Sequence, residues 1–307
     1  MSALYLGVDG GGTKTEFVLI DRERSMVARW AGGTSDHLQV GCDGVVTVLR
    51  DGVARVCADA GVSTGELGFA FFGLPAYGED KVIDPRLDQA CGALLGHRRY
   101  RCGNDMVCGW AGSLDCGDGI NLVAGTGSIG YGERQGQAAR IGGWGDLFGD
   151  EGSAHWIAIQ GLNLFSRMSD GRAPVGPLHA AMVEALALDD DLDLCARTMG
   201  EAGMARGEIA ALAPLVAAAA DQGDAAAGAI LDQAAGELAV MARSLRKALG
   251  FGPDEQALLS WSGGVLNHFD RVRDGLRRQL GADGGFALVE PRHPPGLGAA
   301  LYALHCA

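Results

Sequence analysis

The sequence has few aromatic residues and no long apolar run. Phe, Trp and Tyr make up 6% of its 307 residues, and only nine residues are proline. No stretch approaches the ~18 consecutive apolar residues that indicate a membrane-spanning helix. The first residues carry no basic leader of the kind that opens a signal peptide. The sequence therefore predicts a cytoplasmic protein with no membrane partner.

Basic residues are also scarce. Lys and Arg number 25 against 38 Asp and Glu, which gives a formal net charge of −13. A surface of this sign repels phosphate backbones, so we expect no nucleic-acid partner. A small polyanion such as a nucleotide remains possible, because glycine-loop amides and a metal ion can bind phosphate locally.

The eight cysteines form no C-x-x-C pair. Cys102, Cys108 and Cys116 come closest to a cluster, but their spacing matches no zinc or iron–sulfur pattern. We interpret the cysteines as reduced and mostly buried thiols.

Glycine is abundant, at 50 of 307 residues, and it clusters in short turns between apolar runs. In the first half, strands predicted at 4–8 and 16–20 flank the turn Asp-Gly-Gly-Gly-Thr-Lys-Thr at 9–15. In the second half, strands at 119–124 and 129–134 flank the turn Gly-Thr-Gly-Ser.

This repetition predicts a duplicated α/β protein with two lobes and a cleft between them. We place the domains at residues 1–117 and 118–307, and we expect the last helix to pack back on the first lobe. Residues 176–250 are predicted to be helical almost throughout, with an Ala-rich stretch at 209–249.

Neither glycine turn matches the best-known phosphate loops. The first places Lys14 one position out of register with a Walker A loop, and the segment after it is β-like. The second fits G-x-G-x-x-G from Gly125 to Gly130, but no helix follows, so a dinucleotide-binding unit is rejected.

The turns still suit a polyanion. Consecutive glycines allow positive φ and bring backbone N–H groups close to an anion. Thr13 and Thr126 add hydroxyl donors, Lys14 adds a charge, and Asp9 is placed to hold Mg²⁺ through water. The alternative is that both turns are tight hairpins with no ligand. The Gly263-Gly264 pair at a third strand end favours the binding interpretation.

These segments resemble the two phosphate loops and the adenosine loop of the actin, hexokinase and heat-shock ATPase superfamily. Within it, the chain is similar to the N-acetylglucosamine kinases, which share a family with the activator ATPases of benzoyl-CoA reductase. The most specific stretch is 142–156, Gly-Gly-Trp-Gly-Asp-Leu-Phe-Gly-Asp-Glu-Gly-Ser-Ala-His-Trp. The resemblance implies two ribonuclease-H-like lobes, ATP in the cleft between them, and phosphorylation of an amino-sugar hydroxyl at C6.

The resemblance also implies roles for particular residues. Asp105 corresponds to the catalytic carboxylate, which accepts the proton of the attacking hydroxyl. The implied nucleotide-binding residues are Gly11, Gly12, Thr13, Lys14, Thr126, Gly127, Gly263 and Gly264. The implied sugar-binding residues are Asp36, His37, Asp105, Gly143, Trp144, Gly145 and Asp150. Asp105 has an alternative role as the N-cap of the helix predicted after it.

One position departs from the family pattern. Where the family usually has Asn in a Ser/Thr-Asn-His segment, this chain has Asp36, which accepts hydrogen bonds but has no amide to donate. Glucosamine therefore becomes a second candidate substrate beside N-acetylglucosamine. An activator-type ATPase and a sugar sensor without activity are further alternatives, and a homodimer is one expected assembly.

Overall fold

The computed structural model describes residues 3–200 and 203–307. The chain divides into two compact units, one running to Asn121 and completed by Glu290–Ala307, the other Leu122–Val289. Each unit contains one five-stranded sheet with helices, so the predicted α/β class is confirmed. In the described ranges, no helix combines the length and the apolar character needed to cross a bilayer.

The first unit opens with a hairpin, and its strands are β1 (Leu4–Asp9), β2 (Thr15–Ile20), β3 (Met26–Gly32), β4 (Leu67–Leu74) and β5 (Tyr100–Asn104). Its helices before Asn121 are α1 (His37–Ala60), α2 (Ile83–Leu95) and α3 (Met106–Leu114), with a short 3-10 turn at Thr64–Glu66.

The strand order of this sheet is β3-β2-β1-β4-β5. Strand β2 is antiparallel to β1 and β3, whereas β1, β4 and β5 run parallel. Because parallel strands end at the same edge, the residues that follow β1, β4 and β5 are brought together there.

The second unit repeats this plan, and its strands are β6 (Gly119–Ala124, which begins in the first unit), β7 (Ser128–Arg134), β8 (Gln137–Gly142), β9 (Ala257–Ser262) and β10 (Phe286–Leu288). The first of its helices are α4 (Ala154–Ser169), α5 (Pro177–Leu186), α6 (Asp193–Met199) and α7 (Arg206–Ala210). They are followed by α8 (Ala213–Asp221), α9 (Ala225–Ala248), α10 (Gly264–His268) and α11 (Asp270–Asp283). The order β10-β9-β6-β7-β8 has the same connectivity as the first sheet, which confirms the duplicated topology.

Helix α12 (Pro295–His305) closes the first unit against β1 and α3. Its backbone approaches so closely that a Cβ at Gly7 of β1 would collide with the backbone of Ala300. On α12 itself, a Cβ at Gly298 would lie 2.6 Å from Cα of Gly112. Aromatic packing adds to the contact, with the Tyr302 ring edge-on to Phe71 at 4.7 Å between centroids.

Several predicted elements differ in extent from the observed ones. The sequence predicts no strand after Arg134, yet Gln137–Gly142 pairs with β7, because its polar and small residues hide the strand pattern. The range 176–250, predicted to be helical almost throughout, contains five separate helices in its described residues. One break contains Gly223 with φ 91°, which ends helical geometry just before Asp224 caps α9.

We predict that Gly298→Ala lowers the free energy of unfolding by about 2 kcal/mol or more, because the added Cβ meets rigid backbone. Gly281→Ala in α11 is the matched helical control, since nothing lies within 4 Å of its added Cβ. Alanine there should stabilise by up to about 1 kcal/mol through helix propensity. Urea unfolding measures both, and equal effects of the two substitutions would contradict the close approach of α12.

Candidate functional site

The first glycine turn connects β1 to β2 and packs against the end of β4. The amide of Gly10 donates to the carbonyl oxygen of Gly73 at 2.8 Å, and a Cβ at Gly10 would lie 2.8 Å from the same oxygen. At Gly11, an added Cβ would lie 2.9 Å from the carbonyl oxygen of Lys14. None of residues 10–12 has positive φ, so the expected left-handed backbone is wrong here. Glycine is required for close approach instead.

The outer part of this turn presents donors to solvent. Thr34 Oγ1 donates to the carbonyl of Gly11 at 2.8 Å, and Gln39 Nε2 donates to the carbonyl of Gly12 at 2.9 Å. These bonds hold the carbonyls, while Thr13 and Lys14 are exposed. The turn therefore has the free hydroxyl and ammonium donors that a phosphate group requires.

Two carboxylates meet at the edge where the parallel strands end. Asp9 is the last residue of β1, Asp105 follows β5, and Gly73 of β4 lies between them in the register. A Cβ at Gly73 would collide with Sγ of Cys108 and lie 3.3 Å from Cα of Asp105. The absence of a side chain at Gly73 thus permits this arrangement.

The electrostatics of the pair are unfavourable without a cation. Burial, followed by the charge of Asp105, raises the pKa of Asp9 to about 8. Burial raises the pKa of Asp105 to about 6, although the nearby amides of Met106 and of Asp105 itself partly offset the rise. The charges of Glu79 and Asp36 also raise the pKa of Asp105.

A divalent cation fits this pair chemically. The described residues contain no group of three or more His, Cys, Asp or Glu side chains arranged to hold a metal. Mg²⁺ needs fewer, because it keeps several waters and takes one or two carboxylates together with phosphate oxygens. Asp9 as the Mg²⁺ residue stays a prediction, and its proximity to Asp105 is consistent with that role.

The capping alternative for Asp105 is not what the structure has. Asp105 precedes α3, but its side chain makes no capping hydrogen bond. The amide of Met106 instead donates to Oδ1 of Asn104 at 3.1 Å. The Asp105 carboxylate is therefore not committed to the helix end.

Asp36 does cap a helix. Its Oδ1 accepts from the amide of Leu38 at 3.0 Å at the start of α1, and its Oδ2 accepts from Nε2 of Gln39 at 2.8 Å. Aspartate and asparagine serve equally well in such a cap. Capping of α1 therefore does not explain why this position has Asp rather than Asn.

His37 lies beside a cavity of about 320 Å³. The other residues lining it are Val40, Gly41, Cys42, Asp43, Ile83 and Arg86. The helix is kinked at Gly41, where φ is 67°, and Nδ1 of His37 is buried with no hydrogen-bond partner among the described residues. A buried ring nitrogen without a partner is available to a polar ligand group.

In the second unit, the glycine turn rests on the start of α4. The amide of Ala154 donates to the carbonyl of Gly125 at 2.8 Å, and the amide of His155 donates to that of Thr126 at 3.2 Å. Ser153 caps α4 by accepting from the amide of Trp156. The first amides of α4 are thus used to hold the turn, and the Thr126 side chain is exposed.

Asp150 lies directly over this turn. It adopts a left-handed conformation with φ 57° and is 3% exposed. Its Oδ1 accepts from the amide of Ser128 at 3.2 Å, and its Oδ2 pairs with the guanidinium of Arg206. Sequence reasoning did not find Arg206, because it lies 56 residues away within a stretch predicted only as helix.

The segment containing Gly143, Trp144 and Gly145 is open to solvent. Both glycines have positive φ, at 71° and 90°, and the Trp144 side chain is 73% exposed. Leu147 and Phe148 are exposed as well. An exposed indole has a free face on which a sugar ring can stack.

Gly263 joins β9 to α10 with φ 94° and brings a third turn to the same place. A Cβ there would lie 2.8 Å from the amide nitrogen of Gly125. Gly264 begins α10, and Phe269 separates this short helix from α11. The second unit therefore gathers the 125–128 turn, Asp150 and Gly263.

The chain belongs to the BadF/BadG/BcrA/BcrD ATPase family, whose pattern matches residues 6–303. This agrees with the resemblance seen in the sequence. The fold is that of the actin-like ATPases, and a ROK family glucokinase from Streptomyces griseus, solved with glucose and AMPPNP, superimposes with a TM-score of 0.59 at 18% identity over 98% of both chains.

Two characterised relatives match most of the chain. An N-acetylmuramic acid/N-acetylglucosamine kinase from Clostridium acetobutylicum is 28% identical over 90% of this chain and 89% of its own. An N-acetyl-D-glucosamine kinase from Dictyostelium discoideum is 27% identical over 98% of both. A solved structure provisionally named an N-acetylglucosamine kinase, from Chromobacterium violaceum, has 26% identity and a TM-score of 0.75, with 99% of both chains covered.

We predict that Asp9→Asn changes how stability depends on pH. The folded-state pKa of Asp9, about 8, lies above the ordinary 3.8, so its contribution to stability falls as pH rises from about 4 to 8. At pH 8.5 in EDTA, the variant should melt at least about 2 °C above the wild type, which corresponds to roughly 1 kcal/mol.

Mg²⁺ should raise the melting temperature of the wild type at this pH but not that of Asp9→Asn, because binding to the folded state stabilises it. Asp51→Asn, on the exposed face of α1, is the control and should behave as the wild type. If the melting temperatures of Asp9→Asn and the wild type depend on pH in the same way and rise equally with Mg²⁺, Asp9 is not the residue that holds the ion.

Proposed function

We propose that this protein is an ATP-dependent kinase that phosphorylates the 6-hydroxyl of N-acetylglucosamine, with glucosamine as the second candidate acceptor. The named relatives and the family support a sugar kinase. The observation that carries the proposal is the pair Asp9 and Asp105 beside the glycine turn, because it places a carboxylate suited to hold a cation next to a second carboxylate of raised pKa. A cytoplasmic location and a homodimer stay predictions.

Asp105 is the proposed general base. With a pKa of about 6, it is ionised at neutral pH and still basic enough to accept the proton of the sugar hydroxyl. Phosphoryl transfer otherwise depends on positioning and on neutralising charge. Lys14 and Thr13 of the first turn, and Thr126 of the second, are the proposed phosphate contacts.

Asp9 would hold Mg²⁺ through water, and the ion supplies positive charge against the phosphate oxygens. On the sugar, the proposed contacts are Asp36, His37 and Asp150, and Trp144 offers its exposed face to the ring. Gly143 and Gly145 give the backbone of that loop its left-handed turns. Gly263 and Gly264 are proposed to border the adenosine.

The activator-type ATPase remains an alternative through the shared family. None of the eight cysteines, all of which lie in the described ranges, forms a disulfide, and the described residues bring no three of them together as metal ligands. No observation in the structure therefore favours that function over the kinase.

We predict that Asp105→Asn lowers kcat by at least about 10²-fold, because it removes the base without removing bulk. Nucleotide binding should be nearly unchanged, since the glycine turns are intact. A coupled ADP-release assay with N-acetylglucosamine and calorimetric titration of the nucleotide measure the two effects. Asp59→Asn, an exposed residue of α1 paired with Arg55, is the control. Turnover near the wild-type value in Asp105→Asn would remove it as the base.

We predict that Asp36→Asn shifts preference toward the acetylated sugar. The variant keeps one oxygen for the cap on α1 and gains an amide donor in place of the oxygen that accepts from Gln39. One hydrogen bond of about 0.5–1.5 kcal/mol corresponds to roughly a 2–10-fold change. The measurement is the ratio of kcat/KM for N-acetylglucosamine to that for glucosamine, with unfolding temperatures to confirm that the cap is kept. An unchanged ratio would exclude Asp36 from specificity.

A further inference from the structure

Arg206 extends from the first residue of α7 to the carboxylates beside the second glycine turn. Its guanidinium pairs with Oδ2 of Asp150, and its Nε lies 3.9 Å from Oδ1 of Asp146. Both carboxylates belong to the segment between β8 and α4 that the sequence marks as specific to the family. Arg206 therefore connects two parts of the second unit that are far apart in the chain.

The ion pair covers the phosphate turn itself. A Cβ at Gly127 would lie 2.5 Å from Nη2 of Arg206 and 2.9 and 3.0 Å from the two carboxylate oxygens of Asp150. The amide of Ser128, the residue after Gly127, donates to Asp150 as well. A terminal phosphate bound at this turn would lie within reach of the guanidinium.

The two partners differ in exposure. The side chain of Asp150 is 4% exposed and held by the backbone, whereas that of Arg206 is 43% exposed. The guanidinium is thus the partner that can move to a new anion. Arginine binds phosphate through two parallel N–H bonds, and a phosphate carries more charge than one carboxylate.

We propose that Arg206 is a positioning residue that leaves Asp150 for the terminal phosphate of a bound nucleotide, so that the Asp150 carboxylate becomes available to the hydroxyls of the sugar. This inference rests on the proposed kinase function. Because coupling between two ligands is reciprocal, nucleotide and sugar should each tighten the binding of the other.

The test is calorimetric titration of N-acetylglucosamine in the presence and absence of a non-hydrolysable ATP analogue with Mg²⁺. In the wild type, the analogue should tighten sugar binding by about 5-fold or more, the lower range of typical coupling. Arg206→Met should abolish this coupling and raise KM for ATP. Arg206→Lys should restore part of it, because lysine keeps the charge but loses the two-pronged geometry.

Arg271→Met is the matched control. Arg271 belongs to the same unit, forms an ion pair with Asp232 and is 44% exposed, so it matches Arg206 in exposure and in having a carboxylate partner, but its partner is exposed and lies away from the glycine turn. Coupling in this variant should equal that of the wild type. Circular dichroism identifies a variant that fails to fold, in which case Arg206→Lys supplies the comparison.

Equal sugar affinity with and without the analogue in the wild type would overturn the inference. Undiminished coupling in folded Arg206→Met would also overturn it. If the wild type phosphorylates the sugar without coupling, only the role of Arg206 fails. If it binds neither the nucleotide nor the sugar, the proposed function fails too.

Discussion

The candidate site depends on the close approach of three parallel strand ends in the first sheet. Asp9 and Asp105 can share one edge only because Gly73, between them, has no side chain to separate β4 from α3. The same residue accepts the hydrogen bond that fixes Gly10 at the start of the first glycine turn. One position without a Cβ therefore controls both the carboxylate pair and the adjacent turn, and the raised pKa of Asp9 is the electrostatic result.

The second unit has the same topology but a different arrangement of charges beside its glycine turn. Its glycine turn carries no carboxylate at the end of β6, and Asp150 reaches it from a loop instead. That carboxylate pairs with a protein cation, Arg206, whereas in the first unit the charge of Lys14 only partly offsets the effects that raise the pKa of Asp9. The duplicated fold thus has a pair of buried acids at the edge of one sheet and a neutralised acid beside the glycine turn of the other.

Much of this could be predicted from the sequence, because strand, glycine turn and strand recur in both halves with clear apolar runs. The strands that were found are buried, as β2 is throughout, and burial produces the apolar pattern. Strand β8 is polar and partly exposed, so it leaves no such pattern. Arg206 could not be predicted, since its partner is distant in sequence and an arginine within a helical stretch has many possible roles. The left-handed backbone expected for the glycines at 10–12 was also wrong. Close contacts with other backbone atoms require glycine at positions 10 and 11, and the local sequence does not reveal such contacts.

Helix α12 gives the first unit an unusual order of assembly. The sheet that carries Asp9 is covered by a segment translated only after the whole of Leu122–Val289. On the ribosome, the Gly7 face of β1 must remain uncovered by α12 while the second unit is being made, and Tyr302 reaches Phe71 only after that unit has been synthesised. Domains commonly fold in the order in which they are synthesised. Here the first unit cannot finish folding until the second unit has been synthesised.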